Sequence, residues 1–165
     1  MATTLAEPPT DLSSIEQTET TLTLPEFTAD TAWSIGNLLR KRLLPFPQPV
    51  VISISLAQNN HLLFHTATKS GTTPDNDVWV SRKRATVLRW GHSTWWMRRK
   101  YETDEEFAFK TGLKERAYEY AIHGGGWPVR VDGVEGVVGV VIVSGLRQEE
   151  DHQVIVEVLK EYLGK

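Results

Sequence analysis

Residues 137–143 read Val-Val-Gly-Val-Val-Ile-Val, a run in which every residue except Gly139 is apolar and β-branched. Branched side chains are stiff at χ1 and sit well on a pleated strand. An unbroken apolar run leaves no face for water, so this strand must be covered on both sides. The chain is therefore constrained to build a sheet with other elements packed over it.

The rest of the pattern supplies them. From Phe27, residues Ala29, Ala32, Trp33, Gly36, Leu39 and Leu43 recur at helical steps until Pro45 and Pro47 end the helix. Val50 to Ala57 alternates Ile52, Ile54 and Leu56 with Ser53 and Ser55, which predicts a half-buried strand. Asn59-Asn60 turns the chain into a second strand over about His61 to Thr66. Thr73 or Asp75 caps a helix that runs to about Trp90, with Val78, Ser81, Ala85 and Leu88 on one face and Gly91 after it. A short helical pattern near Ser93 carries Trp95, Trp96 and Met97, and Asp104-Glu105-Glu106 opens another that Gly112 interrupts. Leu113, Ala117 and Ala121 continue its stripe to Gly124-Gly125-Gly126, and Val129 and Val131 alternate with Arg130 and Asp132 as a strand with one exposed face. Val154, Ile155, Val158, Leu159 and Tyr162 mark the stripe of a last helix. The expected fold is α/β of the α+β type, a single antiparallel sheet of four to five strands flanked by helices.

With 165 residues, 40% of them hydrophobic, the chain is long enough for one domain with a real core. Residues 1–14, rich in Thr, Ser and Pro, read as a flexible tail, which leaves 15–165 as the domain. No apolar run reaches the roughly 18 residues that a membrane span needs, and no signal-peptide pattern opens the chain, so the expectation is a soluble, cytoplasmic protein without a membrane partner. The absence of cysteine removes disulfides and thiolate chemistry. The formal charge of −3 is set by Glu7, Asp11, Glu16 and Glu19, and the remainder is near neutral, which argues against nucleic acid as a partner. The basic cluster Arg82-Lys83-Arg84 reads as a solvated helix face or an interface rim.

Chemistry is sought first at His123-Gly124-Gly125-Gly126-Trp127-Pro128. No lysine or hydroxyl residue follows at P-loop spacing, and no dinucleotide fingerprint opens a helix there. A lipase-like oxyanion loop would need a later Gly-x-Ser-x-Gly elbow, and only Gly91-His92-Ser93-Thr94-Trp95 comes near, on the wrong side. The glycines read instead as a helix C-cap with a tight passage into a strand. His61 and His65 share a strand face but are too few for a metal site, and no metal ligands are assigned. His92 and His123 lie at glycine-marked breaks beside Trp95 and Trp127, the setting in which an imidazole could ligate a flat cofactor such as haem. The six tryptophans otherwise belong to cores and interfaces. Glu149, Glu150 and Asp151 offset the dipole of the last helix, and no catalytic residue is assigned. A small-molecule hydrolase around His123 and Asp151 is kept only as a remote alternative.

Four strings in order carry a family resemblance: Gly71-Thr72-Thr73-Pro74-Asp75-Asn76-Asp77; Arg82-Lys83-Arg84 with Arg89-Trp90-Gly91-His92-Ser93; the segment His123 to Pro128; and Val143-Ser144-Gly145-Leu146 with Gln148 to His152. From about residue 15 onward the chain resembles the HbpS-like and GlcG-like family of haem-degrading domains, in its small uncharacterised branch. The resemblance implies an antiparallel sheet flanked by helices and self-association as a homodimer or larger ring. It also implies a haem or small-ligand site, placed here on His123, His92, Trp127, Gly124, Gly125 and Gly126. The competing expectation is a non-enzymatic oligomeric scaffold or adaptor that acts through protein partners, with Trp95-Trp96 and the basic helix buried between subunits.

Overall fold

In a computed structural model, which describes residues 3–165, the chain forms a four-stranded sheet whose neighbours all run antiparallel. The strands are β1 (Val51–Leu56), β2 (Leu62–Ala67), β3 (Gly126–Val129) and β4 (Gly139–Ser144), in the order β2-β1-β4-β3. The helices are α1 (Leu12–Thr21), α2 (Ala29–Leu43), α3 (Pro74–Trp90), α4 (Thr94–Tyr101), α5 (Asp104–Thr111) and α6 (Gln148–Leu163). The α+β class and single antiparallel sheet expected from the sequence are what the chain adopts.

The apolar run is explained by its neighbours. Val141 and Val143 point to the face covered by α2 and α6, where they meet Ile52, Ile54, Leu39 and Ile155. Val140 and Ile142 point the other way, onto Val80 and Val87 of α3. The sheet is thus the middle of three layers. This corrects the half-buried reading of β1, because Ser53 and Ser55 lie under α3 and accept hydrogen bonds from Arg84 Nη2 (3.1 Å) and Nε (3.2 Å). Alternation with a polar residue signalled a wet face, but the hydroxyls are satisfied by a helix instead. Between Ile54 and Ser55 the register shifts, so that Phe64 pairs with Ile54 and Leu62 with Ser55. Phe64, still in regular register opposite Ile54, enters the core, and Leu63 is the extra residue that the bulge takes up.

Helix α3 starts and stops where the sequence places it, with Thr73 in a capping box and Gly91 left-handed at the C-cap. Its buried side is different. Val80, Lys83, Thr86 and Val87 face inward, while Val78 is 51% exposed. The strand after the glycines is also shifted: β3 is buried throughout, and Val131 lies beyond it as a single bridge to Leu24. Residues 114–119 form a 3-10 turn, and no helix continues to the glycines. The described part of the segment read as a tail makes specific contacts: Trp95 Nε1 donates to Pro9 O (2.8 Å), Arg99 Nε to Thr10 O (3.2 Å), and Ala6 N to Glu157 Oε1 (3.0 Å).

Candidate functional site

Three backbone segments converge at the N-terminal ends of α3 and α6: His123 with the three glycines, the turn Ser144 to Leu146 after β4, and the first turn of α6. They can approach only because residues 124 and 125 lack side chains. A Cβ on Gly124 would lie 2.3 Å from Gln148 O, and one on Gly125 would lie 2.2 Å from Val143 O and 2.6 Å from Lys83 Nζ. Gly125 also has φ +119°, which L side chains rarely adopt. The glycines are therefore a close-packing device, which corrects the C-cap reading. Gly126 begins β3, and its N–H donates to Thr94 Oγ1 (2.9 Å).

Beside this junction opens a cleft of about 320 Å³, near the lower end of the range for small-molecule sites. Asn76, Trp79 and Lys83 form one wall, and His123, Gly124 and Gln148 face them. At its floor lies an ion pair. Lys83 Nζ, on a side chain only 3% exposed, donates to Asp151 Oδ2 (3.3 Å) and Val143 O (3.0 Å). Asp151 accepts in addition from Leu146 N (3.0 Å) and Gly145 N (3.3 Å), so one carboxylate fixes the turn at the end of β4. Burial raises the Asp151 pKa to about 6, against the opposing pull of Lys83 and the two amides. Burial likewise lowers the Lys83 pKa, with Asp151 holding it up. Both shifts move the pair towards its uncharged form.

A second depression, about 270 Å³, lies over α5. None of its charged side chains is buried, so nothing there has been desolvated for a task. Among the described residues no group of three or more His, Asp or Glu could hold a metal ion. No helix among them is long and apolar enough to cross a membrane.

The residues singled out in the sequence are not all brought together. His123 and Gly124 line the cleft, and Gly125 packs beneath it against Lys83. Trp127 is in the core, its ring 5.8 Å from that of His152. The aromatic partner of His123 is Trp79, edge-on at 4.8 Å. Burial, and next the positive charge of Arg98, lower the His123 pKa. The Nη2 of Arg98 lies 3.4 Å from each His123 ring nitrogen and is held elsewhere by Asp104 (3.0 Å). His92 does not line this cleft. Its ring stacks on Trp96 at 3.7 Å, and its Nδ1 lies 2.9 Å from Oε2 of the buried Glu19, whose Oε1 accepts from Ser93 N (2.7 Å). Glu19 thereby ties α1 to the start of α4.

Lys83, His152 and Glu19 are the polar groups that sequence reasoning missed, and Asp151 was named there only beside His123, without its lysine partner. For Lys83 the signal was present: Val80, Lys83 and Val87 stand at steps of three and four on the apolar stripe of α3, between two arginines that hid it. The reading of Arg82-Lys83-Arg84 as a solvated face is corrected on this point. Trp95, expected between subunits, is 3% exposed within one chain and is not available there.

Comparison with known proteins places this geometry in a family. A family model described as "Haem degrading protein HbpS-like" matches residues 27–160. A UPF0303 protein of Streptomyces avermitilis is 40% identical over 99% of this chain and 96% of its own length. The UPF0303 protein YBR137W of Saccharomyces cerevisiae is 38% identical over 90% of this chain and 82% of its own. The crystal structure of the Ybr137w protein superposes with a TM-score of 0.84, at 36% identity, over 94% of this chain and 89% of that one. A PduOC:heme complex shares the fold at TM-score 0.63 and 15% identity, over 81% of this chain and 92% of that one.

Proposed function

Since this chain belongs to the HbpS-like family, we propose that it is a small-ligand-binding protein whose ligand occupies the cleft over Lys83 and Asp151. One observation carries the reading. The Lys83 ammonium has three donors, and among the described residues only Val143 O and Asp151 accept from it. The remaining donor suits an acceptor atom of a guest. Gln148 adds to this, because its Oε1 takes the Gly124 N–H (3.3 Å) and its amide nitrogen is left for a ligand. A polar floor under a Trp79 wall favours a small molecule with an oxygen-rich end. Two-dimensional NMR of labelled protein titrated with glyoxylate, pyruvate and their hydroxy-acid counterparts is expected to shift the Trp79 indole N–H and the Gly124, Gly145 and Leu146 amides together. If none of these resonances moves with any of the acids at millimolar concentration, the cleft is not the site.

Haem is the ligand named in the family description, and a separate observation supports a second reading for it. His123 does not suit the iron, because the guanidinium of Arg98 stands at both of its ring nitrogens. His92 suits it better. With the Glu19 carboxylate accepting, Nδ1 carries the hydrogen and Nε2 keeps its lone pair, the second-shell arrangement that orients metal-ligating imidazoles. Bound haem would supply an iron centre, and His92 would hold it. In a hemin titration followed at the Soret band, His92→Ala should abolish saturable binding and Glu19→Gln should weaken it about 10- to 100-fold, while His123→Ala changes nothing. Loss of the signal in His123→Ala alone would return the iron to His123.

A further inference from the structure

Lys83 is the one lysine of the chain that is buried; the other seven are exposed or half-exposed. Lys83 is nonetheless one of the residues that line the cleft, and its amine packs against Gly125, where any side chain would begin 2.6 Å from the nitrogen. Glycine here leaves room for the amine as well as admitting the strand. The nearest acid, Asp151, is 3.3 Å away and is buried. An amine, a proton carrier in contact with it, and a pocket to receive a guest are the parts that carbonyl capture needs.

We propose that Lys83 is a nucleophile that captures a small aldehyde or 2-oxo acid as a Schiff base at the floor of the cleft. The inference rests on the reading of the cleft as a ligand site and names its chemistry. The proton that must leave the ammonium passes along the existing hydrogen bond to Asp151, which gives a free amine beside a carboxylic acid. The amine lone pair forms the C–N bond, and the carbonyl oxygen takes the proton from Asp151. Asp151 then removes one proton from nitrogen and returns it to the hydroxyl, the C–O bond breaks, and water leaves through the open side of the cleft. The product is a protonated imine beside an ionised Asp151, so the charge of the pair is unchanged. Burial favours each half of this exchange, since it disfavours both the ammonium and the carboxylate. His123, neutral in its half-buried position, adds no positive charge against the iminium.

The test is reductive trapping on the intact, folded chain. The protein is incubated at neutral pH with glyoxylate and cyanoborohydride, then weighed by intact mass spectrometry and mapped by proteolysis. The expected result is one adduct per chain, on Lys83, formed at least tenfold faster than on any exposed lysine. Asp151→Asn should slow it by about 100-fold, and Lys83→Arg should remove it. The map of the natural sequence decides the matter even if either variant folds poorly. Labelling spread over the exposed lysines, or none at all, overturns the capture step. If glyoxylate still shifts the Trp79 indole resonance in that case, the cleft stands as a non-covalent site and only the Schiff base is lost.

Discussion

Gly125→Ala should destabilise the chain by about 4 kcal/mol or more, enough to leave little folded protein at room temperature. Two costs act at once. The residue sits at φ +119°, where an L side chain is strained, and its new methyl would lie 2.2 Å from Val143 O and 2.9 Å from the Asp151 Cβ. None of these atoms can yield: Val143 is held in β4 between two strands, and the Asp151 side chain is fixed by three hydrogen bonds. Gly133→Ala is the control. That residue also has positive φ, at +76°, but nothing lies within 4 Å of the added carbon, so only the backbone cost of about 1–2 kcal/mol applies. Urea denaturation of the three proteins gives the comparison directly. A Gly125→Ala midpoint equal to that of Gly133→Ala would mean that the junction at the cleft relaxes freely.

The second large effect is an acid limb of stability set by His152. This imidazole is 1% exposed, lies against the rings of Trp95 and Trp127, and has an unpartnered Nδ1. Burial pushes its pKa down to about 3 from 6.5. Between those values the unfolded chain binds a proton that the folded chain refuses, so stability rises with pH and is lost as pH falls below 6.5. Carried through the whole window, the loss is about 5 kcal/mol, with about 2 kcal/mol of it gone by pH 5. Asp151 acts in the opposite sense. Its folded pKa is raised to about 6 from 3.8, so over that narrower range protonation favours the folded chain and partly masks the limb. A variant separates the two. The difference in stability between the natural chain and His152→Leu, measured at pH 7, 6, 5 and 4, should move steadily in favour of the variant as the pH drops. A difference that stays flat would show that the imidazole is hydrated in solution.

The framework was legible because periodicity reports burial. The Val137–Val143 run, the capped helix from Thr73 to Gly91 and the stripe of α6 each read through, since β-branched runs, capping residues and apolar steps are local signals. What did not read through depends on long-range pairing. Lys83 and Asp151 are 68 residues apart, and Glu19 and Ser93 are 74 apart. A charged residue with its partner that far along the chain reads as surface, since ordinary charged residues are. His123 and Gly124 line the cleft, at a close approach that the repeated glycines marked in the sequence, yet the aromatic neighbour of His123 is not the one expected. Sequence proximity suggested Trp127, but His123 sits in the bend before β3 while Trp127 turns into the core, and it is Trp79 from α3 that meets the ring.

The three-layer arrangement bears on how the chain comes off the ribosome. α2 and β1 are made early, but their apolar faces are closed by α6, and β1 lacks its inner neighbour until β4 has been synthesised. Until then the nascent chain presents a hairpin and a helix with uncovered Ile and Leu side chains, the kind of surface that chaperones hold. Acquisition of the native state should therefore come as one late step, when α6 brings Asp151 to Lys83 and Glu157 to the segment at Ala6.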